Sequence, residues 1–185
     1  MESSTEHLSE EQLIELCIKK NSFAQKRLYD IYASKMFAVC LRYSDNRESA
    51  KDILQDGFVT VFEKIGTYSG NGSFEGWMRK IFVNTALMSL RKNDVLKYSE
   101  QIEEIPLYEL QSTHANIIED IDVKVILELI AQMPAGYRTV FNLNVVEGYS
   151  HQEIAQMLGI TEAASRSQLS RGKGWLQERL KKLMK

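Results

Sequence analysis

Residues 150–171 read SHQEIAQMLGITEAASRSQLSR, and this stretch decides how the whole chain is understood. Ser150 and Glu153 make an S-x-x-E capping box, in which the two side chains reciprocally satisfy backbone N–H groups at a helix start. Ile154, Ala155 and Leu158 supply the apolar face of a short helix. Gly159 permits the left-handed backbone of a tight turn, and Thr161 is placed to cap a second helix. Ala163 and Ala164 are small enough to let that helix pack closely on the first. Short helix, glycine turn and second helix together predict a helix-turn-helix. Ser165, Arg166, Ser167, Gln168, Ser170, Arg171 and Lys173 lie beyond the turn. These are side chains that read DNA: arginine bonds bidentately to guanine, glutamine to adenine, and serine to bases or phosphates. Leu169 and Leu176, seven apart, are expected in the core, joined by Trp175. The bland alternative is an αα-hairpin that only packs, and the clustering of basic and amide groups argues against it. Gly172 and Gly174 each cost a helix about 1 kcal/mol relative to alanine, so its second half is expected to be mobile or ordered by DNA.

Upstream, Val125, Ile126, Leu129, Ile130 and Met133 make an apolar stripe stopped by Pro134. Tyr137, Val140, Phe141, Leu143, Asn144 and Val145 mark a further helix ending near Gly148. The first half of the chain reads as consecutive helices. Leu13, Leu16, Cys17 and Lys20 share one face, and Phe23, Arg27, Leu28, Ile31 and Tyr32 carry the pattern into a second helix. Met36 to Tyr43 is more apolar and predicts a buried helix. Ser44-Asp45-Asn46 offers a turn and an N-cap, after which Ala50 to Ile65 again has helical spacing. Residues 67–73, TYSGNGS, form a loop by composition, and helix resumes from Phe74 to Arg91.

Between these halves the sequence is polar and acidic, contains Pro106 and shows no sustained period. It predicts a flexible linker; about 25 residues, fully extended, span roughly 80–90 Å. From Ser99 to Asp122 there are seven acids and no lysine or arginine, whereas Ala163 to Lys185 carries seven bases and one acid. That asymmetry suits a C-terminal face for an anionic partner. The net charge is −2, without the positive excess expected of a protein that grips DNA unaided. No run approaches the ~18 apolar residues of a membrane span, and the polar, acidic N-terminus does not resemble a signal peptide, so a cytoplasmic location is expected. Cys17 and Cys40 fall at apolar positions, where a free thiol acts as a small buried hydrophobe. Two cysteines and three scattered histidines do not make a metal site, and no cofactor is expected. His151 reads as an exposed helix-start residue, not a general base.

Residues 129–177, LIAQMPAGYRTVFNLNVVEGYSHQEIAQMLGITEAASRSQLSRGKGWLQ, closely resemble the promoter-reading C-terminal domain of extracytoplasmic-function sigma factors, within the sigma-70 family. Pro134, Tyr137, Arg138, Phe141 and the capping box fall where that pattern expects them. Ala163-Ala164 departs from the family's frequent Gly-Thr, and Gly172-Lys173-Gly174 departs again. The resemblance implies that this domain reads the minus-35 promoter element. Residues 47–68, RESAKDILQDGFVTVFEKIGTY, resemble the helix that docks on the clamp coiled coil of core RNA polymerase. Asp52, Gln55 and Asp56 share one helix face there, with Ile53, Leu54, Phe58 and Phe62 on the other. Residues 69–92, SGNGSFEGWMRKIFVNTALMSLRK, resemble the segment that melts and reads the minus-10 element. Asn84 matches the family's helix asparagine. Asn71 and Ser73 sit in the loop, and Arg79, Lys80, Arg91 and Lys92 are placed to contact phosphates. Phe74 and Trp77 fit the core better than base stacking.

The expected fold is all-α. A helical domain over residues 1–95 (polymerase binding and minus-10 melting) is joined through an acidic linker at 96–120 to a helix-turn-helix domain over 121–185. The expected protein is a monomer when free, with core RNA polymerase and promoter DNA as partners; an anti-sigma factor is a further partner the family resemblance allows. A stand-alone helix-turn-helix regulator is the competing reading. An enzyme is the third, and it lacks any nucleophile–base pair, phosphate-binding glycine loop or metal spacing.

Overall fold

In a computed structural model the described residues are 8–92 and 123–183, and the chain divides into two compact units, Met1–Ser89 and Leu90–Lys185. The expected linker at 96–120 lies outside the described residues. All regular structure among the described residues is helical.

The first unit opens with α1 (Glu10–Ile18), started by a capping box: the Gln12 N–H donates to Ser9 Oγ (3.2 Å) and the Ser9 N–H to Gln12 Oε1 (3.0 Å). Lys20 takes a left-handed conformation (φ 58°) to end it, and Asn21 accepts from the Ala24 N–H (3.0 Å) to start α2 (Ser22–Tyr43). The two helices expected between Phe23 and Tyr43 are therefore one, because Ala33-Ser34-Lys35 contains no breaker. Its buried face is Ala24, Leu28, Tyr32, Met36, Val39, Cys40 and Tyr43. Phe23 and Ile31, expected on that face, are exposed. Asn46 caps α3 (Arg47–Lys64) by accepting from the N–H groups of Glu48 and Ser49. A 3₁₀ turn (Ile65–Thr67) and a loop then lead to α4 (Phe74–Lys92), whose last three residues fall past the division at Ser89.

The core of this unit is mostly aliphatic, with an aromatic cluster at its edge. Phe58 meets Tyr29, Phe82 and Phe62 at centroid separations of 4.6, 5.2 and 6.0 Å, within the range where ring edges and faces attract. Gly57 makes room for this: a Cβ there would lie 2.2 Å from Phe82 Cε1, so the ring occupies the space a side chain would need. The Tyr32 hydroxyl donates to the Glu10 carboxylate, tying α1 to α2; burial and that carboxylate push the phenol above its usual range.

The second unit contains α5 (Val123–Ala131), α6 (Ala135–Phe141), a π-helical turn (Asn142–Val146), α7 (His151–Leu158) and α8 (Glu162–Leu183). Leu129, Ile130, Met133, Tyr137, Val140, Leu143, Ile154 and Leu169 form its core. Buried Arg138 reaches back from α6 to donate to the Ala131 carbonyl at the end of α5 (2.7 Å), where positive charge suits the helix dipole. The helix expected through Val145 loosens after Phe141, with the Glu147 N–H bonded five residues back to Asn142 (2.9 Å). No described helix is long and apolar enough to cross a membrane.

Candidate polymerase and nucleic-acid interfaces

In the helix-turn-helix, the Glu153 N–H donates to Ser150 Oγ (3.2 Å) and the Ser150 N–H to Glu153 Oε2 (2.8 Å), the reciprocal box. Gly159 ends α7 at φ 71°, and the N–H groups of Gly159 and Ile160 both return to the Ala155 carbonyl. Thr161 caps α8 by accepting from the Ala164 N–H (3.1 Å). The elements of residues 150–171 are thus those the sequence predicts.

The face of α8 follows from its phase. Ser165, Leu169 and Gly172 are buried against the unit. Ser165, expected among the DNA-reading side chains, is therefore a correction: it is 0% exposed, and its Oγ lies 2.8 Å from His151 Nδ1. His151 is correspondingly half-buried and engaged, not an exposed helix-start residue. Of the other candidates, Arg166 and Lys173 are exposed, and Ser167, Gln168, Ser170 and Arg171 are half-buried. At about 100° per residue, Ser167 and Ser170 lie opposite the buried stripe, with Arg166 and Lys173 on one flank and Arg171 and Gln168 on the other. Arg166 pairs with Glu162 (3.1 Å) across one turn. The Nε of Arg171 is covered and has no hydrogen-bond acceptor among the described residues, an arginine whose capacity is not yet used.

The glycines do not interrupt α8. It runs unbroken to Leu183. Gly172 passes directly over α6, where a Cβ would meet Met133 Sδ at 3.3 Å and Tyr137 Cβ at 3.4 Å, so close packing offsets its poor helix propensity. Trp175 is half-buried, with the Arg179 guanidinium 3.9 Å over its ring.

In the first unit, Asp52, Gln55 and Asp56 are all exposed on one face of α3, while Ile53, Leu54 and Phe58 are buried and Phe62 is half-buried. Val59, which sequence reading did not single out, projects among those acids at 58% exposure. Its place seven residues after Asp52 is the signal that identifies it. On α4, Lys80, Asn84 and Arg91 share an exposed face at helical spacing, and Met88, also missed, stands beside them at 68% exposure. Lys92 is exposed and Arg79 half-buried. The preceding loop is shaped by Gly70 and Gly72 at positive φ (78° and 85°) and closed by Tyr68, whose hydroxyl donates to the Gly72 carbonyl (2.7 Å). Asn71 is exposed at its tip; exposed Ser73 is engaged in capping α4, accepting from the Gly76 N–H (3.1 Å). Trp77 is half-buried and stacks on buried Phe74 (5.4 Å, 19°), with Tyr68 against both rings. Among the described residues no group of three or more His, Cys, Asp or Glu side chains stands ready to hold a metal ion.

A helix-turn-helix whose second helix has a polar, cationic outer face, in a chain with a second, separate helical unit, is the arrangement of a DNA-binding protein. Residues 28–95 match the sigma-70 region 2 model and residues 124–176 the sigma-70 region 4 model. The chain belongs to the sigma-70 family of RNA polymerase sigma factors, in its extracytoplasmic-function (ECF) group. It is 28% identical over 167 residues to the ECF RNA polymerase sigma factor SigW of Bacillus subtilis, covering 84% of this chain and 88% of that one. It is 24% identical over 192 residues to the ECF RNA polymerase sigma-E factor of Haemophilus influenzae, covering 97% and 99%. The fold is that of the sigma factor RpoE solved in complex with the anti-sigma factor NepR from Bartonella quintana (TM-score 0.51, 21% identity, 84% of this chain and 96% of that one). The protein is thus a non-enzymatic initiation factor that works with core RNA polymerase at promoter DNA.

Proposed function

We propose a division of labour between the two ends of the chain. Residues 121–185 read the minus-35 element through the outer face of α8, with Arg166 and Arg171 as the principal base readers and Ser167, Gln168, Ser170 and Lys173 completing the contact. Residues 1–95 hold core polymerase through Asp52, Gln55 and Asp56, with Val59 adding apolar contact. The same unit melts the minus-10 element through Asn71, Lys80, Asn84 and Arg91, while Ser73 supports the loop. Opening DNA means unstacking a base and holding it, at a cost of a few kcal/mol, and a preshaped loop beside an amide and cations lowers that cost. The acidic linker joins the two ends. The protein works in the cytoplasm, where polymerase and genome are. An anti-sigma factor, like the one bound in the Bartonella structure, would control it by covering these faces.

The observation that carries the reading is the orientation of α8: apolar and small residues inward, arginine, serine and glutamine outward, on a helix fixed at its start by Gly159 and Thr161. A net charge of −2 supports a subunit whose DNA contacts count only once polymerase holds both ends in register. Run-off transcription with purified core polymerase on a pool of promoter fragments tests it. Specific transcripts are expected only when the chain is added; neither transcripts nor binding to active core would overturn the proposal.

A further inference from the structure

We propose that His151 and Ser165 form a positioning latch that sets the angle at which α8 meets DNA; this rests on the minus-35 reading above. The two other serine and threonine side chains buried among the described residues bond back one turn: Ser44 Oγ donates to the Cys40 carbonyl (2.7 Å) and Thr139 Oγ1 to the Ala135 carbonyl (2.7 Å). Ser165 has the same option one turn back at Thr161, yet its Oγ is turned across the interface to His151 Nδ1, 2.8 Å away on α7. The imidazole tautomer decides which atom donates, and either direction makes a good bond. An alanine would occupy this fully buried site with no hydroxyl left to satisfy. A directional bond adds what an apolar contact lacks, a fixed rotation of one helix against the other.

Both ends of the latch are anchored. His151 follows Ser150, which the capping box holds in place, and the Ser165 N–H donates to the Thr161 carbonyl (3.0 Å) in the first turn of α8. Ser165 immediately precedes Arg166 and lies three residues before Gln168. Rotating α8 by about 20° would carry a side chain ~6 Å from the axis through about 2 Å, several times the ~0.5 Å range of a good hydrogen bond to a base edge. The two residues themselves touch no DNA. They act through their neighbours.

The test uses holoenzyme assembled from core polymerase and the full chain, transcribing promoters that differ only in the minus-35 element. Ser165→Ala and His151→Phe are each expected to reduce discrimination between the best element and its single-base variants by roughly five- to tenfold. The double variant should lose no more than either single, because both remove the same bond. His151→Asn, which keeps a polar atom near Nδ1, should retain most of the discrimination, and pull-down by core should be unchanged throughout. If Ser165→Ala does not melt cooperatively, Ser165→Cys, slightly larger and with only a weakly hydrogen-bonding thiol, replaces it. Unchanged discrimination in both singles, or losses that multiply in the double, would overturn the latch. Arg166→Ala and Arg171→Ala separate the two levels. If neither alters use of the element, the minus-35 reading falls and the latch with it; if they do while the latch variants do not, only the latch falls.

Discussion

At the scale of single residues, Ser165 shows where chemistry and phase give different answers. Taken as a serine among arginines it belongs on the DNA face. Taken as the residue four before Leu169 and seven before Gly172 it belongs on the buried stripe, which is where it lies. The same periodicity correctly separates Ile53, Leu54 and Phe58 from Asp52, Gln55 and Asp56. No periodicity in the sequence discloses that His151 satisfies Ser165, because that contact depends on how α7 and α8 cross. Three expectations follow at this scale. Asp56→Arg should weaken capture by core polymerase at least tenfold in a pull-down while leaving far-UV circular dichroism unchanged, since Asp56 is exposed. Asn84→Ala should slow strand opening, measured by permanganate reactivity of minus-10 thymines. Burial pushes the thiols of Cys17 and Cys40 up to about 11 and about 12. Both should resist thiol-disulfide reagents at pH 8 until the chain unfolds. Above pH ~8.5 the unfolded chain releases thiol protons that the folded chain keeps, so stability should fall as pH rises from there.

At the scale of helices, starts were more legible than faces. Ser150, Asn46 and Thr161 announce their caps in the sequence, because capping depends on residues within three positions of one another. The single helix from Ser22 to Tyr43 and the exposure of Phe23 and Ile31 were not legible, since an apolar residue does not say which neighbour will cover it. Glycines inside helices separate the local effect from the packing effect. A methyl group added at Gly174 would meet nothing within 4 Å, so Gly174→Ala should stabilise by about 0.5–1 kcal/mol through helix propensity alone. At Gly172 the same gain is offset by contacts of 3.3–3.5 Å with Met133 and Tyr137, and the change should be near neutral. Gly57→Ala drives a Cβ into Phe82 and should destabilise by about 1–3 kcal/mol. Urea unfolding of the three variants checks the order.

At the scale of the whole molecule, charge is uneven along the sequence: the acidic stretch from Ser99 to Asp122 lies between the two helical ends, and the proposed division of labour leaves the basic, DNA-facing stretch after Ala163 to the second of them. The free chain should bind promoter duplex weakly and with a shallow salt dependence, whereas holoenzyme should bind tightly and lose affinity steeply as salt rises. Equal affinity with and without polymerase, in a titration across salt concentrations, would count against that division.

The contact between Gly57 and Phe82 has a mechanical consequence. Asp56 precedes Gly57 on α3, and Asn84 follows two residues after Phe82 on α4. Because the Phe82 ring fills the space beside Gly57, α3 and α4 are in direct contact there. If polymerase holds the acidic face and Asn84 meets the melted strand, as proposed, this contact lies one residue from the first and two from the second. Under those proposed roles the pair would act as a strut between the enzyme and the DNA strand.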